Sequence, residues 1–240
     1  MNTVAIIPAR GGSKRIPGKN IKLFAGKAII SYSIKAAQDS DLFDRIIVST
    51  DSVKIAKVAK AYGAEVPFIR PAELADDFTG TGAVVLHALR WLLDRGDKVD
   101  YVCCIYATAP FVRPQDLCKG YALLRENKAT STFTVASFPS PILRALKIDE
   151  KGRIAMVWPQ YRERRSQDLP ETYHDAGQFY WADVKNYLKE REFYSRDSLP
   201  VVLPRYLVQD IDTPEDWEKA ERMYSVLQMA APKLKLAGSG

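Results

Sequence analysis

Short apolar runs rich in Val, Ile and Thr alternate along this chain with segments whose apolar residues recur at helical spacing, and no other feature constrains the fold as much. Residues 4–8, 45–49, 66–69, 101–106, 131–137, 177–182 and 201–208 read as strands. Residues 30–38, 53–62, 83–94, 114–126 and 214–227 read as helices, with Pro114 and Pro214 in first turns, where a missing amide costs nothing. Gly63 and Gly96 stop two of them. This is the βαβ rhythm of an α/β protein: a mixed, mainly parallel sheet between two layers of helices.

One stretch breaks the rhythm. Residues 142–159 read as two strands around Asp149-Glu150-Lys151-Gly152, a hairpin rather than a crossover. The polar residues after it have no period, so about 138–173 reads as an arm inserted in a domain spanning 1–228. An isolated hairpin is barely stable, and the arm is expected to dimerise the protein or to serve its substrate. Residues 229–240 read as a disordered tail whose Gly-Ser-Gly end looks like a cloning remnant.

Composition excludes several classes. At 47% hydrophobic and 27% charged, the 240 residues are those of a globular protein. The residues ahead of the first strand do not read as a signal peptide, so none is expected, and no apolar run approaches the ~20 residues of a membrane helix. The three cysteines, Cys103, Cys104 and Cys118, lack CxxC spacing, which argues against zinc and disulfides and suits a reducing, cytoplasmic setting.

The first strand runs directly into "ARGGSKRIPGKN", where Arg10, Lys14, Arg15 and Lys19 crowd together. Four cations repel one another unless an anion sits among them. The loop is neither a Walker A sequence, because Ser13 holds the first glycine's place and Asn20 the last position, nor a Rossmann fingerprint. Gly11 and Gly12 allow a sharp turn and an anion nest; Arg10 offers a planar fork, and Lys14 and Lys19 mobile point charges. A polyphosphate at the carboxyl end of a buried strand fits this best; a solvated basic turn is the alternative. On this reading Gly12→Val damages the loop more than the loss of any one charge.

At the last apolar run, Asp210 and Asp212 share one face of an extended chain. Mg²⁺, or Mn²⁺ in its stead, would reconcile two convergent carboxylates with a phosphate ligand. Thr213, Pro214 and Asp216 make a helix start, which leaves Asp210 unexplained.

"IPARGGSKRIPGKNI", "IIVSTDS", "RPAELADD" and "QDIDTPEDW", in this order, resemble the CMP-sialic acid synthetase (acylneuraminate cytidylyltransferase) family over most of residues 4–225. Within that family, "CIYATAPF" and "YHDAGQFYW" are most similar to the pseudaminic acid cytidylyltransferases. The resemblance implies a Rossmann-like nucleotidyltransferase fold, CTP and a nine-carbon 2-keto acid sugar as substrates, and a CMP-sugar and pyrophosphate as products. It implies a nucleotide site of Arg10, Gly11, Gly12, Ser13, Lys14, Lys19, Asn20, Arg70, Thr81 and Tyr106, and supports Asp210 and Asp212 as metal ligands. Tyr106 stands where the sialic acid enzymes have glutamine. Catalysis would rest on Arg10, Lys14, Lys19 and Asp212, by positioning and charge neutralisation. The base stays open between Asp212 and a metal-activated hydroxide.

Several positions admit two readings. Asp51 lies on the ligand edge or caps the helix from residue 53. Thr79 and Thr81 could cap the next helix. His87 is a packing or surface residue, and His174 is structural or touches substrate. Arg144, Lys147, Arg162, Arg164 and Arg165 could meet a sugar carboxylate or carry solvated charge. Gln178 and Tyr180, on one strand face, could read sugar hydroxyls. The rivals are a cytidylyltransferase for legionaminic, sialic or 3-deoxy-octulosonic acid or an alcohol phosphate, and a non-catalytic nucleotide- or RNA-binding protein. The last wants aromatics interleaved with bases, which the first loop lacks, so no nucleic-acid partner is expected.

Overall fold

The computed structural model describes residues 1–236. In chain order the elements are β1 (Thr3–Pro8), β2 (Leu23–Phe24), β3 (Lys27–Ala28), α1 (Ile30–Asp39), β4 (Arg45–Ser49), α2 (Val53–Ala61), α3 (Thr81–Leu93) and β5 (Tyr101–Ile105). There follow α4 (Pro114–Glu126), β6 (Ser131–Ser137), β7 (Leu146–Ile148), β8 (Ile154–Met156), β9 (Tyr173–Asp183), α5 (Val184–Glu190), β10 (Ser198–Val202) and α6 (Pro214–Leu236).

Six strands form one sheet in the order β10-β6-β9-β5-β1-β4. Neighbours are parallel except where β9 pairs antiparallel with β5 and β6. Strand β1 is apolar on both faces because both are covered. Ala5 and Ile7 pack with α1, α2 and α4, while Val4 and Ile6 pack with α3 and α5. A third cluster seats Ile16 of the first loop and Ile211 of the last against Phe24, Phe111 and Trp217. Phe24 meets Trp217 edge to face at 5.6 Å, a favoured aromatic geometry that ties the two loops to one platform.

Two expected strands differ. Residues 66–69 form none: Glu65 alone bridges to Ile47, and Pro67 has no N–H to continue the ladder. The run expected at 201–208 is β10, which starts at Ser198, stops at Val202 and gives way beyond Pro204 to a 3-10 turn at Arg205–Leu207. Pro200 is tolerated within β10 because that strand is at the sheet edge. Strand β9 begins at Tyr173, four residues earlier than expected. Helix α6 continues to Leu236, so the expected disordered tail is helical that far; residues 237–240 lie outside the described residues.

The hairpin forms where it was expected. Strands β7 and β8 pair antiparallel as a separate two-stranded sheet, and Asp149 Oδ1 accepts from the amides of Lys151 and Arg153 to close the turn. Leu146, Ile148 and Ile154 are 61%, 72% and 69% exposed, so the arm carries an apolar face that its own fold leaves uncovered.

Candidate active site

The parallel strands β1, β4 and β5 end at one edge, where open α/β sheets gather ligands. A cavity of about 440 Å³ opens there, walled by the first loop, the segment from Arg70 to Thr81, the Tyr106–Thr108 turn and Asp212. Its size is within the ~300–1,000 Å³ of small-molecule sites. Arg10, Lys14, Arg15, Lys19 and Arg70 outnumber the carboxylates of Asp76, Asp77 and Asp212 around it.

The loop is held from several sides. Gly18, at φ 64°, takes the left-handed turn that starts the 3-10 turn Lys19–Ile21. Asn20 is buried and donates Nδ2 to the Arg10 carbonyl at 2.9 Å, closing the loop on itself. The Gly11 amide donates to Asp51 Oδ1 at 2.8 Å. A Cβ on Gly11 would come to 3.1 Å from Ser52 Cβ, whereas one on Gly12 would meet nothing within 4 Å. Neither glycine is among the cavity-lining residues, Gly11's amide is committed to Asp51 rather than free for an anion nest, and Gly11 rather than Gly12 is sterically constrained.

Asp51 does not cap α2; the Ser52 hydroxyl accepts from Ile55 N instead. Asp51 faces the buried Arg70, whose Nη2 lies 3.7 Å from Oδ1. Arg70 is 4% exposed, and its Nε and Nη2 have no hydrogen-bond partner. Burial depresses its pKa against the opposing pull of Asp51. A guanidinium so placed has donors to offer an anion in the cavity.

The four loop cations meet two carboxylates. Arg10 Nη1 donates to Asp77 Oδ1 at 2.6 Å and to the Asp76 carbonyl at 2.8 Å, and Lys14 pairs with Asp77. Arg15 and Lys19 approach Asp212 at 2.8 Å and 3.4 Å. Sequence reasoning passed over Asp77 and left Arg15 out of the phosphate set; Asp77 lies 67 positions from Arg10, and no spacing rule links them.

Asp210 and Asp212 flank the buried Ile211 in a loop rather than a strand; Asp212 lines the cavity, whereas Asp210 is exposed and is not among its lining residues. Partial burial first, then the Asp212 charge, raises the Asp210 pKa. A carboxylate beside a second one suits a hard divalent cation. No group of three His, Cys, Asp or Glu among the described residues is placed to ligate a metal, so the other ligands would be phosphate oxygens and water. Asp216 accepts from the amides of Asp212 and Thr213 and from the Thr213 hydroxyl, the helix-start role expected of it.

Ser13, Thr81 and Tyr106 also line the cavity. Neither Thr79 nor Thr81 caps α3: Gly80 is its N-cap without a side-chain bond, Thr79 Oγ1 bonds the Glu73 carbonyl, and Thr81 Oγ1 lies 3.4 Å from the Tyr106 hydroxyl. The Tyr106 ring packs on Tyr180 at 5.3 Å. Tyr180 donates to Asp175 at 2.5 Å, and Gln178 donates to the Leu207 carbonyl at 2.6 Å, both from within the core. His87 packs on Phe68, and burial lowers its pKa. His174 leans on Phe138, its Nδ1 against the Asp175 carbonyl. Arg144 donates to Ser166 and Arg165 pairs with Asp168, both on the arm with Lys147, so the structure does not bring the expected sugar-site residues to the cavity.

This mixed, mostly parallel six-stranded α/β fold is shared with solved structures. A solved structure of CMP:2-keto-3-deoxy-manno-octonic acid synthetase complexed with CTP superposes with a TM-score of 0.67 over 94% of this chain and 99% of that one, a likeness of fold at 17% identity. The chain belongs to the cytidylyltransferase family, whose model, described as Cytidylyltransferase, matches residues 4–230. A pseudaminic acid cytidylyltransferase of Campylobacter jejuni subsp. jejuni serotype O:2 is 43% identical over 226 residues, 94% of this chain and 97% of that protein. A CMP-N,N'-diacetyllegionaminic acid synthase of Legionella pneumophila is 34% identical over 239 residues, 96% and 99% of the two chains. Among the described residues no helix is long and apolar enough to cross a membrane.

Proposed function

We propose that this cytidylyltransferase activates pseudaminic acid with CTP, giving the CMP-sugar and pyrophosphate. The observation that carries the reading is the convergence of Arg10, Lys14, Lys19 and the buried Arg70, whose Nε and Nη2 make no hydrogen bond, on one cavity at the strand ends. The identity to the Campylobacter protein favours pseudaminic acid over its stereoisomers.

The anomeric C2 hydroxyl oxygen attacks the α-phosphorus in line, its proton passing to Asp212 or to solvent, while the bond from that phosphorus to the bridging oxygen breaks and pyrophosphate leaves. Arg10, Lys14, Lys19 and Arg70 hold the phosphates and stabilise the charge that grows on the leaving group. Ser13, Thr81 and Tyr106 shape the nucleotide side. Gly11 and Asn20 act by fixing the loop, through Asp51 and the Arg10 carbonyl. Asp210 and Asp212 would hold Mg²⁺, which supplies charge neutralisation at the phosphates when bound. The free cysteines suit a cytoplasmic enzyme.

Pyrophosphate release from CTP and Mg²⁺, with pseudaminic, legionaminic and N-acetylneuraminic acids in turn, tests the assignment. Pseudaminic acid should give the highest kcat/KM, and excess EDTA should abolish turnover. Equal or better turnover of another acid would reassign the sugar.

We also propose that the inserted arm, about residues 138–173, joins two copies into a homodimer. Its exposed Leu146, Ile148 and Ile154 are the support, since a face like that is costly in water. In a dimer the arm would also carry Arg144, Lys147 and Arg165 to where a sugar acid could meet them, with His174, Gln178 and Tyr180 backing that side. Light scattering should report twice the 27.0 kDa chain mass at micromolar concentration; a species of 27.0 kDa would contradict the arm's role.

A further inference from the structure

Resting on the reading of Arg10 and Lys14 as phosphate donors, we propose that Asp77 is the cavity's internal counter-anion. Its carboxylate competes with the polyphosphate for the same N–H groups, and so sets how tightly pyrophosphate is held.

The carboxylate spans both cations: Oδ1 takes Arg10 at 2.6 Å and Oδ2 takes Lys14. A phosphate oxygen that takes Arg10 Nη1 or the Lys14 N–H facing Oδ2 displaces Asp77, whereas the other N–H groups of both cations remain open to it. The segment bearing Asp77 is built to present it. Arg70 N is tied to the Thr50 carbonyl at 2.8 Å, and Asp76 Oδ1 caps the amides of Phe78 and Thr79 at 3.0 Å and 2.6 Å. The Asp76 carbonyl takes the second bond of Arg10, which brings the next carboxylate against the loop. Phe78 is 94% exposed, so no apolar burial of that side chain holds the segment in place; the polar contacts do.

Those contacts are exchangeable. The Asp77 and Lys14 side chains are 34% and 78% exposed, and solvated ion pairs of this kind are weak. Charge-assisted bonds to a phosphate are stronger, and pyrophosphate can engage several cations at once. Asp77 thus yields to the substrate, and its return to Arg10 and Lys14 favours release of the leaving group. It is a positioning residue acting through those two side chains.

The test is calorimetric binding of pyrophosphate alone, in EDTA, to the wild type and to variants. Asp77→Asn should bind about fivefold more tightly. The tightening should shrink to about twofold in a Lys14→Met background, because half of the competition is then gone. Tightening of equal size in both backgrounds would make Asp77 a diffuse charge and overturn the proposal, as would weaker or unchanged binding in Asp77→Asn. Arg10→Ala separates the two layers of the argument. If it leaves pyrophosphate binding unchanged, the phosphate reading itself fails. If it weakens binding while Asp77→Asn does not tighten it, only the counter-anion role fails.

Discussion

Asp212→Asn should lower kcat by about 10²–10³-fold with little change in thermal stability. Asp212 is the carboxylate on which Arg15 and Lys19 converge, and Asp210 stands beside it across Ile211. Asparagine keeps the size and one oxygen but removes the charge that would anchor a divalent cation against the phosphates. Losing one preorganised electrostatic partner of a developing transition-state charge typically costs two to three orders of magnitude, about 2.7–4 kcal/mol. The fold has little at stake there. The loop is fastened by Ile211, 1% exposed, and by Trp217, 3% exposed, on the aromatic platform, not by Asp212, whose side chain is 35% exposed. Steady-state kinetics beside a melting curve would check both halves. Wild-type turnover in the variant would mean that Asp212 serves the helix entry and the cations alone.

Arg70→Met should separate activity from stability as well, with a Tm that holds or rises. Arg70 is a buried guanidinium with unpaired Nε and Nη2, only loosely approached by Asp51 at 3.7 Å. Replacing a poorly compensated buried charge by an apolar chain of similar length is often neutral or stabilising, so Tm should hold or rise. The phosphates, in contrast, lose a charge-assisted donor in a partly desolvated site. One such contact is typically ~1.5–3 kcal/mol, or about ten- to a hundred-and-fifty-fold in kcat/KM for CTP. A variant that melts earlier and turns CTP over normally would identify Arg70 as a structural arginine.

How legible these features were depends on where the determining contact lies. Strands β1, β4 and β5 were readable because burial on both faces writes a continuous apolar run into the sequence. The 66–69 run carried the same apolar signal, and one missing amide at Pro67 decided against it. The basic loop announced its charge but not its geometry. Which glycine is constrained depends on Ser52 and Asp51, some forty residues away, and nothing local distinguishes Gly11 from Gly12. The Asp210/Asp212 pair was read from extended-chain alternation, but the segment is a loop in which Ile211 is buried and only Asp212 lines the cavity. Asp77 stood in view within "RPAELADD", yet its partners are set by the approach of two loops and by no periodicity. The sugar side was the least readable. Its candidate cations are on an arm whose placement relative to the cavity would depend on a second copy of the chain.

The central claim is that the cationic cavity binds the triphosphate. Steady-state kinetics of wild type and Arg70→Met, with CTP and the sugar acid each varied at saturating levels of the other, test it most directly. The account predicts that the loss appears in kcat/KM for CTP, with the KM of the acid close to that of the wild type. If Arg70→Met instead raises only the KM of the acid and leaves the CTP parameters unchanged, the cavity holds the sugar carboxylate, and the assignment of Arg10, Lys14, Lys19 and Arg70 to the phosphates is wrong.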